Sequence, residues 1–346
     1  MRVTRPALLV LTLLASLTLT LLSPTAAQAA RSGKGKSSVS VLTFNVCGHA
    51  QGCGGWDKRE DAIVKRIVAS KADVVAVQEV WGVFWRLEQR LATHGYVAVA
   101  SSGNEGMFAK SSKLSAVTVP TPVTTCTRGR IDLGPEVDTT QWDPTRPHRD
   151  ESGVTWYHDE QTGGWFRTGR ICTDSVVQTP KNGQIGLGGR ASSAWAMLRV
   201  KRTDKTYLFA SVHLTTGKDK VAGKRATETS RLLAATAAVA EGRPRVFAGD
   251  FNSSIQRGKD TVGRRLRAKG FSDAYTEARS HKGTRYNSAT GYGRKPRVGG
   301  SHIDRVFVPR GVSASTWAMD VKMRRGRSVR PIPSDHSPVR VSITLP

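Results

Sequence analysis

Acidic residues are scarce in this chain. Across 346 residues, 27 Asp and Glu stand against 53 Lys and Arg, leaving a net charge of +26. That deficit points to a polyanionic partner, either nucleic acid or an acidic lipid surface, and charge alone does not choose between them. Apolar runs long enough to cross a bilayer are missing after Leu22. Cysteine is limited to Cys47, Cys53, Cys126 and Cys172, with no CxxC spacing, which argues against a zinc site. No repeat of fixed period occurs, so solenoid architectures are excluded.

The one long apolar stretch, Ala7 to Leu22, follows Arg2 and Arg5 and precedes Ala27-Gln28-Ala29. A charged start, an apolar middle and small residues at the end predict a signal peptide over residues 1–29, and hence a secreted, extracellular protein. The run is too short and too interrupted by Thr and Ser for a comfortable membrane anchor. Without Arg2 and Arg5 the net charge is +24. Four cysteines in an exported chain favour disulfides. Three pairings exist; Cys47–Cys53 with Cys126–Cys172 is preferred because each closes a local loop.

Residues 30–38, rich in Gly, Ser and Lys, are expected to form a flexible basic N-terminus. Strands are expected at Val39 to Val46 and Asp73 to Gln78. Asp57 and Glu60 have capping-box spacing ahead of a helical face of Ile63, Val64, Ile67 and Val68. A helix is expected over Trp81 to His94, and further strands over Tyr96 to Ala100 and Gly106 to Val119. Residues 120–189 lack periodicity and read as a disulfide-tied insertion whose Trp142, Trp156 and Trp165 are expected to form its own small core, with substrate contact as the alternative. Ser193 to Val200 and Tyr207 to His213 form a hairpin. Helices at Lys224 to Glu241 and Thr261 to Lys269, and strands at Arg245 to Ala248, Ile303 to Val308 and Val339 to Thr344, complete the chain. This mixture fits one two-sheet core flanked by helices.

Chemistry-bearing residues follow these strands. Asn45 and Glu79 each end a buried run, and a carboxylate beside an amide oxygen suits a hard cation. In Gly249-Asp250-Phe251-Asn252, extended geometry puts Asp250 and Asn252 on one face, while the glycine admits a close neighbour. In Ser334-Asp335-His336-Ser337, the acid can bind metal while the imidazole faces a phosphate, with Asp304 placed to orient that imidazole.

The ordered motifs Thr43-Phe44-Asn45, Gln78-Glu79, Val212-His213, Gly249-Asp250-Phe251-Asn252, Ile303-Asp304 and Ser334-Asp335-His336-Ser337-Pro338 resemble the endonuclease/exonuclease/phosphatase superfamily from about Val39 to the C-terminus. The resemblance implies a deoxyribonuclease I-like α/β fold, a four-layer α/β/β/α sandwich with two central mixed β-sheets flanked by helices, making residues 39–346 one catalytic domain. It also implies a divalent metal, Mg²⁺ first and Mn²⁺ or Ca²⁺ as alternatives. Carried over by motif, Asn45, Glu79 and Asp335 form the metal side. Asp250 and Asn252 orient water and grip phosphate, His213 is a phosphate ligand or acid, and His336 backed by Asp304 is the second imidazole. Arg190 is a candidate phosphate contact. A tyrosine that many relatives carry is absent from Gly103 to Phe108, where Asn104 or Glu105 could take over its role beside His213.

The expected substrate is nucleic acid, DNA and also RNA, cut by metal-dependent hydrolysis. Arg294, Lys295 and Arg297, and Lys218, Lys220, Lys224 and Arg225, are placed to track a phosphate backbone. The alternatives are a sphingomyelinase or phospholipase C acting at an acidic phospholipid surface, for which Trp81, Trp85 and the insertion's tryptophans are candidate contacts, or a phosphomonoesterase. No obligate protein partner is implied.

Overall fold

The computed structural model describes residues 35–48, 53–217 and 219–346. The expected signal peptide, the first part of the expected flexible N-terminus and Lys218 lie outside the described residues.

Two seven-stranded sheets pack face to face. The first runs Ala278–Lys282, Ser313–Met319, Val339–Leu345, Ser37–Asn45, Val74–Gln78, Glu105–Lys110, Tyr96–Ser101. The second runs Asn182–Gly188, Ala191–Val200, Lys205–His213, Arg245–Asp250, Asp304–Pro309, Phe271–Asp273, with Leu114–Ala116 added against Ala191–Val200. Both are mixed: Ser37–Asn45 runs parallel to Val74–Gln78, and Lys205–His213 parallel to Arg245–Asp250, within otherwise largely antiparallel sheets.

The alternation of side chains along a strand decides which residues meet. Val39, Val41, Val74, Ala76, Phe209, Val246, Ala248 and Val306 point into the space between the sheets and form the central core. Their alternates Leu42, Phe44, Val75 and Val77 pack outward under the helices Glu60–Ser70 and Phe84–Ala92. On the other side Leu208, Ala210 and Phe247 pack under Ala222–Ala240 and Thr261–Ala268. The result is the four-layer α/β/β/α sandwich.

Three local expectations are corrected. The first strand begins at Ser37, because Ser37 is buried and bonded to Thr203 Oγ1 and Tyr207 OH, at 2.5 and 3.1 Å. Asp57 and Glu60 form no capping box: the helix starts at Glu60 without a side-chain cap, and both acids bind Arg86, at 2.6 and 2.5 Å. Residues 120–189 are far more regular than expected. Thr118–Asp132 pairs along its whole length with residues 166–180 of Gly164–Pro180 as an antiparallel arm. Its faces are mostly exposed, so it has no apolar alternation to read. Cys126 and Cys172 are direct cross-strand partners joined by a disulfide, and Cys47–Cys53 is the second. Trp142 stacks on His148 with ring centroids 3.7 Å apart and meets Trp165 edge-on.

Arg305 is buried beneath the second sheet between Asp260 and Asp273, at 2.8 and 2.7 Å. Removing the cation leaves two buried carboxylates with backbone and hydroxyl donors but without their close counter-charge, a loss of about 3–5 kcal/mol. Urea denaturation of Arg305→Ala is expected to show a loss of that size. A change under about 1 kcal/mol would mean the triad is solvated in solution.

Candidate active site

The alternation that builds the central core also builds the site. Continued to the strand ends, the inner-face positions become Asn45, Gln78, Glu105, His213, Asp250 and Asp304. The registers align them: Asn45 opposite Gln78, Gln78 opposite Glu105, His213 opposite Asp250, and Asp250 opposite Asp304. Polar groups from both sheets therefore collect at one edge of the sandwich.

Asp250 lies at the centre and is 2 % exposed. Its Oδ2 is 3.3 Å from Asn45 Nδ2, 3.7 Å from His213 Nε2 and 3.8 Å from His336 Nε2. Its Oδ1 accepts from the Asn252 backbone N–H at 2.9 Å. Burial pushes the Asp250 carboxyl up from its usual range; His336 opposes that shift and Asp304 adds to it. Gly249 is required by a close approach of backbone: a Cβ there would sit 1.9 Å from Val212 O. The expected shared face of Asp250 and Asn252 is not extended strand. The strand ends at Asp250, Asn252 takes a left-handed φ of 51°, and its amide donates to Leu214 O at 3.0 Å. Phe251 turns outward against Phe307.

His336 Nδ1 is 2.8 Å from Asp304 Oδ2. Asp304 Oδ1 is buried with no hydrogen-bond partner, so its charge is answered chiefly by the imidazole. Burial works against charge on His336, but Asp304, then Asp250 and Asp335, outweigh it and raise its pKa to about 10. His213 Nδ1 is 3.4 Å from Asn104 Nδ2 and 3.7 Å from Glu105 Oε1. Asn104 and Glu105 thus stand behind His213, where the missing tyrosine had drawn attention to them. Glu105 is fully buried, accepting from Ser102 and Ser192.

Of the expected metal group, Asn45 and Glu79 meet directly, Asn45 Nδ2 donating to Glu79 Oε1 at 2.8 Å. Glu79 leaves its strand at φ 58° and remains 30 % exposed in the cleft. Asp335 enters from the opposite loop, whose Ser334 Oγ donates to Asn45 O at 2.7 Å. A carboxylate oxygen of Asp335 lies within 4.8 Å of the Cys47 and Cys53 sulfurs, which are spent in a disulfide and so are not ligands. Arg190 is exposed on the wall of a cleft of about 860 Å³, shared with Glu79, Trp81, Asn104 and His213. Arg225 does not track a surface backbone: it is 1 % exposed and donates to Gly217 O at 2.9 Å.

Two supports escaped the sequence reading. Arg59 is buried and donates to the carbonyls of Val46, Cys47, Gly48 and Pro333, tying the Asn45 strand end to the Ser334 loop. Gln78 Nε2 donates to Ser211 Oγ at 3.0 Å, a buried polar link between the sheets. Nothing around Arg59 in the sequence distinguishes it from a surface arginine, whereas Gln78 stood beside Glu79 in a motif.

The profile of the Endonuclease/Exonuclease/phosphatase family matches residues 42–336. Among solved structures, a Bacteroides thetaiotaomicron endonuclease/exonuclease/phosphatase family protein shares 16 % identity, over 90 % of this chain and 99 % of the other, with a TM-score of 0.58. The mannosyl-6-phosphatase Bt3783 of the same species shares 16 % over 88 % and 99 %, with a TM-score of 0.52. D. rerio TDP2 complexed with single-strand DNA product shares 14 % over 89 % and 99 %, also at 0.52. No curated protein matches the chain.

The His336–Asp304 pair gives a pH-dependent stability. A raised imidazole pKa stabilises fully below the ordinary value of about 6.5. That contribution is lost as pH rises through about 10. In EDTA, the stability gap between wild type and Asp304→Asn is expected to be widest at the acidic end of this window and to narrow across it. A gap that stays flat would show that Asp304 does not raise the His336 pKa across this window.

Proposed function

The chain belongs to the endonuclease/exonuclease/phosphatase family, whose members are phosphoric ester hydrolases, and we propose that it is a secreted, metal-dependent nuclease. The observation that carries this reading is Asp250 Oδ2 set between the Nε2 atoms of His213 and His336 at 3.7 and 3.8 Å. Those gaps exceed a hydrogen bond, so neither imidazole is tied to the carboxylate and both present Nε2 toward the same point.

Enzymes of this family usually use divalent metal ions. The residues present fit one: Glu79, Glu105 and Asp250 lie 3.9, 3.7 and 3.7 Å from the His213 imidazole, and Asp304 stands opposite Asp250 on the neighbouring strand. Burial, reinforced by Asp304 and opposed by His336, pushes Asp250 toward protonation, and a bound cation would act in the opposite sense. Glu79 and Asn45, with Asp335 from the facing loop, would hold Mg²⁺, which supplies charge to the phosphate oxygens and a lower pKa to bound water.

The protein's own residues divide the remaining work. His336, kept protonated by Asp304, donates from Nε2 to a non-bridging phosphate oxygen and offsets the charge that develops there. A protonated imidazole cannot accept a proton, so Asp250, whose basicity burial raises, takes the proton of the attacking water. Asn104 and Glu105 hold His213, which presents Nε2 to the phosphate. Arg190 binds a neighbouring phosphate at the cleft wall.

The substrate assignment rests on charge. The expected mature chain carries +24, and phosphate contacts dominate nucleic-acid affinity. The two disulfides and the leader-like start support export. A second reading, a phospholipid phosphodiesterase, is favoured by one observation: Trp81, which lines the cleft, and Trp85, one helical turn further along the chain, are 69 % and 57 % exposed. The fold neighbours include both a phosphatase and a DNA complex, so the fold does not choose.

Nicking of supercoiled plasmid by the mature chain with Mg²⁺ is expected, abolished by EDTA. His213→Ala, Asp250→Ala and His336→Ala are each expected to lose about 10²–10⁴-fold in rate. Near wild-type rates in both His213→Ala and Asp250→Ala would sink the assigned chemistry. Metal-dependent release of phosphocholine from sphingomyelin vesicles, without nicking, would transfer the site to the phospholipid reading.

A further inference from the structure

Beside the His336 loop stands a surface that the catalytic chemistry does not use. Residues 278–303 contain no Asp or Glu, and neither do residues 321–334. These two segments are neighbours in space: Ser328 N donates to Arg294 O at 2.7 Å. The first is anchored on the catalytic loop, Gly291 N donating to Asp335 O at 2.8 Å and Ser337 N to Ser288 O at 2.9 Å. The second folds back as a two-residue hairpin, Met323–Arg324 against Arg327–Ser328, with positive φ at both turn residues, Arg325 and Gly326.

Arg294, Lys295 and Arg297 are exposed on the first segment, and Arg324, Arg325 and Arg327 on the second. None of the six forms a salt bridge among the described residues, although Arg66, Arg86 and Arg130 elsewhere do. Arg324 and Arg327 are direct cross-strand partners, an arrangement that is destabilising for like charges. A two-loop ridge that is built by backbone hydrogen bonds, whose charged side chains are all cations and which ends on Asp335 and His336, suits an anion with several charges in a row. A single phosphate group cannot answer six cations on two loops; a polynucleotide strand can.

We propose that this ridge is a phosphate-backbone track, an extended subsite that holds the nucleic-acid strand on the His336 side of the scissile bond. The proposal rests on the nuclease reading of the site. It makes the protein an enzyme for polymers, poor on substrates too short to reach the ridge, and it gives cleavage a steep dependence on salt because each held phosphate releases counterions.

The test compares wild type with the triple variant Arg324→Ala/Arg325→Ala/Arg327→Ala. A second triple, Lys113→Ala/Lys201→Ala/Arg202→Ala, removes the same charge from the surface around Leu114 and Val200. The ridge variant is expected to lose tenfold or more in kcat/KM on long DNA and to keep wild-type rates on bis(p-nitrophenyl) phosphate. The slope of log kcat/KM against log salt should flatten by about one for each arginine that holds a phosphate. The second triple should change neither ratio nor slope by as much. Equal loss on polymer and small ester, an unchanged slope, or the same loss in the second triple would each overturn the track. So would ridge-dependent binding of anionic vesicles in preference to DNA. Failure of the nuclease reading looks different: wild type then cleaves no nucleic acid. In that case oligonucleotide binding by His336→Ala, with and without the ridge substitutions, still decides whether the track exists.

Discussion

Asn45 and Asp250 stand 205 positions apart in the chain and face each other at 3.3 Å across the space between the sheets. Every other feature of the site depends on that meeting. It requires both sheets to end at the same edge, with the inner-face register of each strand preserved to its last residue. A slip of one residue in Ser37–Asn45 or Arg245–Asp250 would turn the polar group under a helix and a valine or phenylalanine into the cleft. Packing of the apolar inner face, Val39 and Val41 against Val246 and Ala248 among others, penalises such a slip heavily. The hydrophobic core therefore fixes the catalytic geometry as well as the fold.

Much of this was legible in the sequence because the same two-residue period governs core and site. Asn45, Glu79, His213 and Asp250 could be singled out at the ends of buried runs, Asp304, Asp335 and His336 through motifs that open or precede strands and resemble the family's, and the structure gathers them at one edge. What stayed hidden has physical causes. The arm could not be read because its strands are exposed on both faces, and exposed Thr and Val carry no alternation. Asn252 was placed on an extended face, yet its side chain and backbone favour a turn that bonds back to Asp250. Arg59 was silent because its role is to satisfy four carbonyls from two distant loops, and long-range backbone satisfaction leaves no local mark.

The charges are sorted as well as unequal. Five of the 27 acids, Glu79, Glu105, Asp250, Asp304 and Asp335, lie in or beside one cleft of a chain that is otherwise strongly basic. A negative pit within a positive surface treats two ligands differently. A divalent cation is drawn to the pit, and a polyanion is drawn to the rim and repelled from the floor until that cation neutralises it. On the proposed function, this arrangement would tie productive seating of the substrate to the presence of the ion.

The arm has a consequence of another kind. Lys181 N donates to Val117 O at 2.6 Å, so the chain leaves the sandwich and returns to it at a single point on its flank. Everything between is outside the continuity of both sheets. Its length, shape and surface can drift, shorten or be exchanged while each core strand keeps its neighbours. The region is thus a place where descendants of this sequence can acquire new attachments without renegotiating the chemistry they inherited.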